Sequence, residues 1–430
     1  MYLFRRSRVR ALRLSIMVGL ALLLAAFSWV GAAVTPVTSS SGSEAGSGRS
    51  VADASAITIG VGASLTVVPE IGWRQVNAVQ LAVDQANAAG GINIGGTTYT
   101  LGLVTADDGC NATQGAVAAN TLIGAGAVAV VGYTCTSAST GAQPVHGAAH
   151  VAMVSPSSTG PNLTEQGYDT TFRVAAREDS AAGALAASFR NRLDLDKVAI
   201  VEFGGSPAYA ADVFASTFTS LGGTISSRRT VKSTADFTAA LTDIKHNDAP
   251  DAIFYVDGDA AQAGEFSHIS NDVVGMTDVP IGWDPLTDDT AVLAAYAAAA
   301  GAAAEGDYAT MHGLRTQDMA RYDEFNAIYQ AAGFPNYGDE ATIVAPYAYD
   351  AANILINAIV FAQSTDPGDI RDAIAGTANY SGIVGVYEGF DAKGDVIPQW
   401  HLLMRYANGQ WSKLYPRQIF LPMVVKGLAP

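Results

Sequence analysis

Short apolar segments alternate with segments of helical periodicity along most of the chain, and no other feature narrows the fold so far. Residues 57–61 form a short apolar run, and residues 73–89 carry Val76, Val79, Val83 and Ala86 at helical spacing before stopping at Gly90-Gly91. The alternation continues with a strand at 99–105, a helix at 113–123, a strand at 128–131, a helix at 139–150 that includes Pro144, and a strand at 151–154. A second set comes next: strand 197–203, helix 209–221 ending at Gly222-Gly223, strand 224–231, a helix from an Asp236 cap to about His246, strand 252–256, helix 260–270, strand 280–283 and an alanine-rich helix at 288–303. Short apolar strands between amphipathic helices are buried on both faces, which requires parallel sheets covered by helices. Two sets of about four βα units predict an α/β chain with two doubly wound parallel-sheet lobes. Helical stretches at 318–332 and 342–362, then short strands near 382–387 and 400–406, break the pattern and read as segments crossing back between the lobes.

The 430 residues are 49% hydrophobic and 15% charged, enough apolar material for two domains or two lobes. Net charge is −16; Arg5, Arg6, Arg8, Arg10 and Arg13 lie in the first 33 residues with no acid, so removing those five charges leaves −21 on the rest. Such a surface repels nucleic acid, and no basic stripe interrupts it. The arginines precede an uncharged apolar run at 14–30 and the small residues Gly31, Ala32 and Ala33. This is the arrangement of an export signal over residues 1–33. The run is close to membrane-spanning length, so an uncleaved anchor stays open beside cleavage. The Arg5-Arg6 pair is compatible with twin-arginine export, and the lack of a nearby cysteine excludes lipid attachment there. Residues 34–56, rich in Ser, Gly and Ala, read as a flexible tether.

The two cysteines are Cys110 and Cys135. Outside the cytoplasm so close a pair is expected to form a disulfide, the alternative being two separate buried thiols. Closing a loop of about 25 residues is worth about 3 kcal/mol. Two cysteines fall short of a zinc site, and neither metal nor cofactor is expected.

In open α/β sheets ligands bind beyond the carboxyl ends of the strands, so the loops there carry the functional information. After 128–131 come Gly132, Tyr133, Thr134, Cys135, Thr136 and Ser137; after 151–154 come Ser155, Pro156, Ser157, Ser158 and Thr159. Hydroxyls and helix N-termini of this kind suit a carboxylate. In the second set, the loop after Phe203 ends at Tyr209, Asp257-Gly258-Asp259 comes after Val256, and Trp283-Asp284 after Gly282. Acids and a phenol suit an ammonium. The two halves of a zwitterion would thus be held by opposite lobes, while the alternative is that these residues are ordinary helix caps.

Four segments carry a family resemblance. They are the run from Gly72 to Ile92 with Gln85-Ala86-Asn87-Ala88-Ala89-Gly90-Gly91-Ile92; Asp107-Asp108-Gly109-Cys110 with Cys135; Val154-Ser155-Pro156-Ser157-Ser158-Thr159 with Asn162-Leu163-Thr164 and Phe172-Arg173; and Asp236-Phe237-Thr238 with Ile244-Lys245 and Pro250-Asp251. In order and spacing the chain resembles the periplasmic branched-chain amino-acid binding proteins, type I periplasmic binding proteins of ABC importers, from residue 57 to about 414. The resemblance implies the disulfide. It implies a ligand carboxylate on Thr136, an ammonium on the Ser157 carbonyl, Thr159 touching both, Tyr209 closing from the second lobe, and Asp284 pairing with the ammonium. The family more often has Glu at the last position. Ser137, Asp257 and Trp283 complete the candidate ligand-binding set. The chain departs from the pattern at Ile71-Gly72-Trp73, where an aromatic is expected near Ile71, and at Asp257-Gly258-Asp259, where many relatives have an aromatic.

The combined expectation is an exported solute-binding protein and not an enzyme. It would act as a monomer that captures a branched-chain or similar amino acid between hinged lobes and delivers it to the membrane permease of an ABC importer. The expected location is the periplasm or the outer face of the cytoplasmic membrane. Expected lobe boundaries are 57–175 with 306–383 and 176–305 with 384–414, crossing near 173–177, 305–308 and 382–385. Rival readings are a ligand-binding sensory module, or a binder of an amide or other small polar solute. His146 and His150, four apart on a helix, lack the acid of a metalloprotease motif and read as surface histidines. Gly204-Gly205-Ser206 lacks the Lys and spacing of a phosphate loop. The apolar tail at 415–430 reads as an added edge strand or packed extension, or as a docking segment.

Overall fold

The structure, a computed structural model, describes residues 55–204, 209–286, 290–342 and 344–414. The export signal, nearly all of the tether, Gly205-Ser206 and the apolar tail lie outside the described residues.

The first sheet is built from β1 (Ser55–Ala63), β2 (Ile92–Ile94), β3 (Thr97–Asp107), β4 (Ala127–Val131), β5 (Ala152–Ser155) and β6 (Thr171–Arg173), in the order β2-β3-β1-β4-β5-β6. β1 thus begins within the expected tether. All pairs are parallel except the β2–β3 hairpin at the edge. Ile57, Ile59, Val61 and Ala63 of β1 are buried, because helices cover both faces. α1 (Pro69–Ala88), α2 (Ala112–Gly124) and α3 (Thr136–Ala149) connect these strands.

The second sheet contains β7 (Lys197–Phe203), β8 (Thr224–Val231), β9 (Ala252–Val256), β10 (Ile281–Leu286) and β11 (Tyr308–His312), all parallel, with β16 (His401–Ala407) and β17 (Gln410–Lys413) added antiparallel; the order is β17-β16-β11-β10-β9-β7-β8. Its helices are α4 (Glu178–Asn191), α5 (Tyr209–Ser220), α6 (Phe237–Asp243), α7 (Ala260–His268) and α8 (Thr290–Ala300). The Asp236 carboxylate accepts from Ser233 in a capping box, so the residue that starts the α6 segment is Ser233, not Asp236. Phe214 stacks on Phe254 at 4.2 Å in the core behind this sheet; each such ring contributes about 1.5–3 kcal/mol by burial.

The return segments lie differently from expectation. α9 (Tyr322–Ala331), α10 (Val344–Ala362) and α11 (Pro367–Ala375) belong to the first lobe, where α10 packs on α1 and α11 on β4 and β5. α10 is long and apolar enough to cross a membrane, but 72% of its apolar 18-residue stretch is buried, which marks a core helix. Because Tyr308–His312 pairs with β10 and β16, the second crossing comes after His312 instead of falling at 305–308. The third crossing also comes later than 382–385. β12 (Tyr380–Ser381) pairs with β13 (Val386–Tyr387), and β14 (Gly389–Phe390) with β15 (Val396–Ile397); Phe390 packs on Phe172, and Asp395 bridges to Arg173. Only then do β16 and β17 enter the second sheet.

Both sheets reverse strand order once, between β1 and β4 in the first and between β7 and β9 in the second. The loops at the carboxyl ends of these four strands are where a ligand is expected.

Candidate functional site

The first wall is a set of loops held rigid from behind. The Cys110–Cys135 disulfide joins the loop after β3 to the start of α3, with Cα atoms 5.1 Å apart. Asp108 is buried and accepts from the Cys110 and Thr134 amides at 2.8 and 2.9 Å. Burial pushes its carboxyl up while those two amides pull it down. The Thr134 hydroxyl accepts from Ser64 N–H and donates to Gln75 of α1, each at 3.0 Å, joining the ends of β1 and β4. α1 can reach that loop because Gly72 lacks a side chain: a Cβ there would lie 2.1 Å from the Ser64 carbonyl oxygen.

The hydroxyls of this wall divide by role. Ser157 donates to the Thr134 carbonyl at 2.7 Å and Ser137 to the Cys110 carbonyl at 2.9 Å, so both are structural through their side chains. Thr136 accepts from Gly160 N–H at 3.1 Å, which leaves its own proton to donate. Gly160 allows this contact, since a Cβ on it would meet Thr136 Cγ2 at 2.6 Å. α3 begins at Thr136 and has no side-chain cap, so its first-turn amides are available to an anion. Thr159 donates to Glu178 Oε2 at 3.0 Å, and the Glu178 amide donates to the Thr159 carbonyl at 3.1 Å.

Glu178 opens α4 directly after the first crossing and was not among the sequence candidates. The signal that could have found it is an acid at a helix start just past the Phe172-Arg173 motif. Its carboxylate is the second-lobe group that touches the hydroxyl wall.

The other second-lobe candidates are placed unequally. Asp257 lies just past β9 with φ +70 and an exposed side chain, and its amide donates to the Asp284 carbonyl at 3.3 Å. Although the residue reaches solvent, partial desolvation of its carboxyl by the surrounding loops, then the negative charges of Asp284, Glu178 and Glu202, push it up to about 6. Asp259 is a helix cap that accepts from Gln262 N–H at 2.9 Å. Asp284 is only 2% exposed, and one of its carboxylate oxygens accepts from Thr310 and sits 3.0 Å from His312 Nε2. Burial works against the charged imidazole of His312, but Asp284, Glu178 and Asp179 outweigh it and raise the ring. Asp284, expected to pair with a ligand ammonium, is thus engaged by Thr310 and His312. Trp283 is 1% exposed, stacks on Tyr296 at 5.3 Å and donates to the Gly258 carbonyl at 3.2 Å. A ring so enclosed supports the Asp257 loop through the Gly258 carbonyl. Tyr209 is 42% exposed at the first position of α5.

His146 is not a surface histidine. It is fully buried, with Nδ1 2.8 Å from the Val151 carbonyl and Nε2 2.9 Å from the Tyr133 hydroxyl. The carbonyl can only accept, so Nδ1 carries the proton and Tyr133 donates to Nε2. His150 caps the same helix in the left-handed conformation. Burial pushes His146 down to about 4 from an ordinary 6.5. Between those values the unfolded chain binds the extra proton, so this ring withdraws stability as pH falls from 6.5 to 4 and has no effect above. His146→Gln is expected to flatten the slope of unfolding free energy against pH there by about 1.4 kcal/mol per unit. Urea melts between pH 4.5 and 7.5 measure this, and an unchanged slope would mean that the ring protonates inside the fold.

The walls are held at a common hinge. Arg173 is fully buried; it donates to Asp395, to the Ser158 and Gly160 carbonyls at 3.2 and 2.8 Å, and to Thr164 at 2.8 Å. Arg177 reaches Asp395 at 3.2 Å and pairs with Asp179 and Glu165, each at 2.8 Å. The first and third crossings are thereby tied together beside the Thr159 loop.

A family model described as periplasmic binding protein matches residues 56–408. The Leu/Ile/Val-binding protein homolog 3 of Brucella melitensis is 30% identical, over 72% of this chain and 80% of that protein. The branched-chain amino acid transporter substrate-binding protein LivJ of Streptococcus pneumoniae, solved with isoleucine, is 26% identical and covers 83% of this chain and 98% of its own, with a TM-score of 0.62. A solute-binding protein of an ABC transporter from Rhodopseudomonas palustris, solved with 3,4-dihydroxybenzoic acid, shares the fold at 19% identity and a TM-score of 0.63 over 85% of this chain and 97% of its own. Two α/β lobes with facing loops at their strand ends, and a family match spanning both, lead to one conclusion: this chain belongs to the periplasmic binding protein family.

Proposed function

We infer that the chain is the exported substrate-binding component of an ABC importer and captures a free α-amino acid between its lobes for delivery to the membrane permease. The ligand carboxylate is received by Thr136 and the uncapped start of α3, and the ammonium by the Ser157 carbonyl, Thr159 and Glu178. The observation that carries this is the Thr159–Glu178 contact, which sets a first-lobe hydroxyl against a second-lobe carboxylate. A zwitterion inserted there would meet a carboxylate for its ammonium, and hydroxyl and amide donors for its carboxylate. Asp284 acts from behind, as the anchor of His312 and Thr310.

Closure results from the same arrangement. A ligand shifts the hinge only as far as it binds the closed form better, and a second-lobe carboxylate on the ammonium supplies about 1.5–3 kcal/mol of that difference. A thermal-shift screen of the exported protein against the twenty amino acids, small amides and benzoates tests this function. Stabilisation by at least one amino acid is expected; a response confined to amides or benzoates would remove it.

A further inference from the structure

We propose that Asp257 makes this cleft selective for an amino acid whose side chain is positively charged over one whose side chain is apolar. The proposal rests on the amino-acid reading of the cleft given above.

The reason lies in how the acids of the second wall are satisfied. Asp179 is paired with Arg177. Glu202 is paired with Arg228, whose Nη2 lies 3.0 Å from Glu202 Oε2. Asp284 has His312, and Asp259 is spent on its helix cap. Of these acids, Glu178 and Asp257 are left with neither an ion pair nor a helix cap among the described residues. Glu178 shares the Thr159 hydroxyl with the site of the zwitterion, so it serves the α-ammonium. That leaves one carboxylate over, and a zwitterion with an apolar side chain offers it nothing.

The position of Asp257 makes the surplus consequential. It comes after β9 at the point where the strand order of the second sheet reverses. Its amide is fixed on the Asp284 carbonyl, so the side chain is presented from an anchored backbone. Its carboxyl is raised to about 6 by partial desolvation and then by the negative charges of Asp284, Glu178 and Glu202, in line with the lack of a counter-charge beside it. Closing the lobes over leucine or isoleucine would bury Asp257 against hydrocarbon without a counter-charge, which is unfavourable. A guanidinium or ammonium on the ligand side chain would instead form a charge-assisted hydrogen bond there. The same wall repels a bare aromatic carboxylate.

Isothermal titration calorimetry on the full exported chain with L-arginine, L-lysine, L-leucine and L-isoleucine decides the matter. Arginine or lysine is expected to bind at least about tenfold more tightly than leucine and isoleucine. Asp257→Asn should cut that ratio by about 10- to 100-fold while leaving leucine as good as before or better. Asn tolerates the left-handed backbone of this position, and the exposed side chain makes the variant a safe one to fold. Leucine or isoleucine bound as tightly as the cationic pair would overturn the proposal and leave the amino-acid function standing. An unchanged ratio in Asp257→Asn would overturn the assignment to this residue. Absence of heat with all four ligands would remove the proposal, and the thermal-shift screen would then show separately whether any amino acid binds.

Discussion

Asp395→Ala is expected to lower the unfolding free energy by about 3–5 kcal/mol, the range found when one partner of a buried ion pair is removed. The cost is large because Arg173 cannot leave. Its side chain is fully buried, and its remaining donors are held by the Ser158 and Gly160 carbonyls and by Thr164. Thr164 loses its acceptor as well, since both Asp395 oxygens lie 3.0 Å from its hydroxyl. Urea or guanidinium melts measure the loss. The double variant Arg173→Met with Asp395→Leu should recover much of it, because removing both charges avoids the uncompensated one. Ligand affinity should fall with Asp395→Ala too, since Arg173 holds the loop that carries Thr159. A change within about 0.5 kcal/mol, the scale of an ordinary surface substitution, would show that the hinge network does not bear on stability.

The second large effect is on binding. Glu178→Gln should weaken the amino-acid ligand found by screening about 10- to 100-fold, the worth of one charge-assisted hydrogen bond. The substitution is nearly isosteric, and its amide oxygen can still accept from Thr159. Stability should therefore change by less than about 1 kcal/mol, while the charge facing the ammonium is gone. Asp284→Asn offers the contrast. That side chain is buried on Thr310 and His312, so its loss should lower stability and affinity together. An affinity unmoved by Glu178→Gln would return the ammonium to Asp284 and dismiss the contact at Thr159 as structural only.

Much of the fold was legible because its signals are local. The 57–61 run, the helical spacing of Val76, Val79 and Val83, and the glycine pairs that end helices report on neighbours within one or two turns, and the structure places elements at each. α4 was not legible: Glu178–Asn191 is mostly Ala, Ser and Gly with buried positions on nearly every side, so no large apolar stripe announces it. Thr136, Thr159 and Asp257 were legible as loop residues at strand ends. Glu178 was not, because nothing in its neighbourhood distinguishes it from any acid in the first turn of a helix.

The amino-acid order alone determined the two sets of βα units and the loops from which a cleft could be made, and it offered each cysteine a single possible partner, since these depend on short-range periodicity or on composition. Tertiary structure decided which acid serves which cation. Arg173 finds Asp395 across 222 residues and Asp284 meets His312 across 28, and only after those charges are matched do Glu178 and Asp257 remain as the unpaired acids of this wall among the described residues. Electrostatic pairing depends on distance in space and on burial, and a linear sequence carries neither.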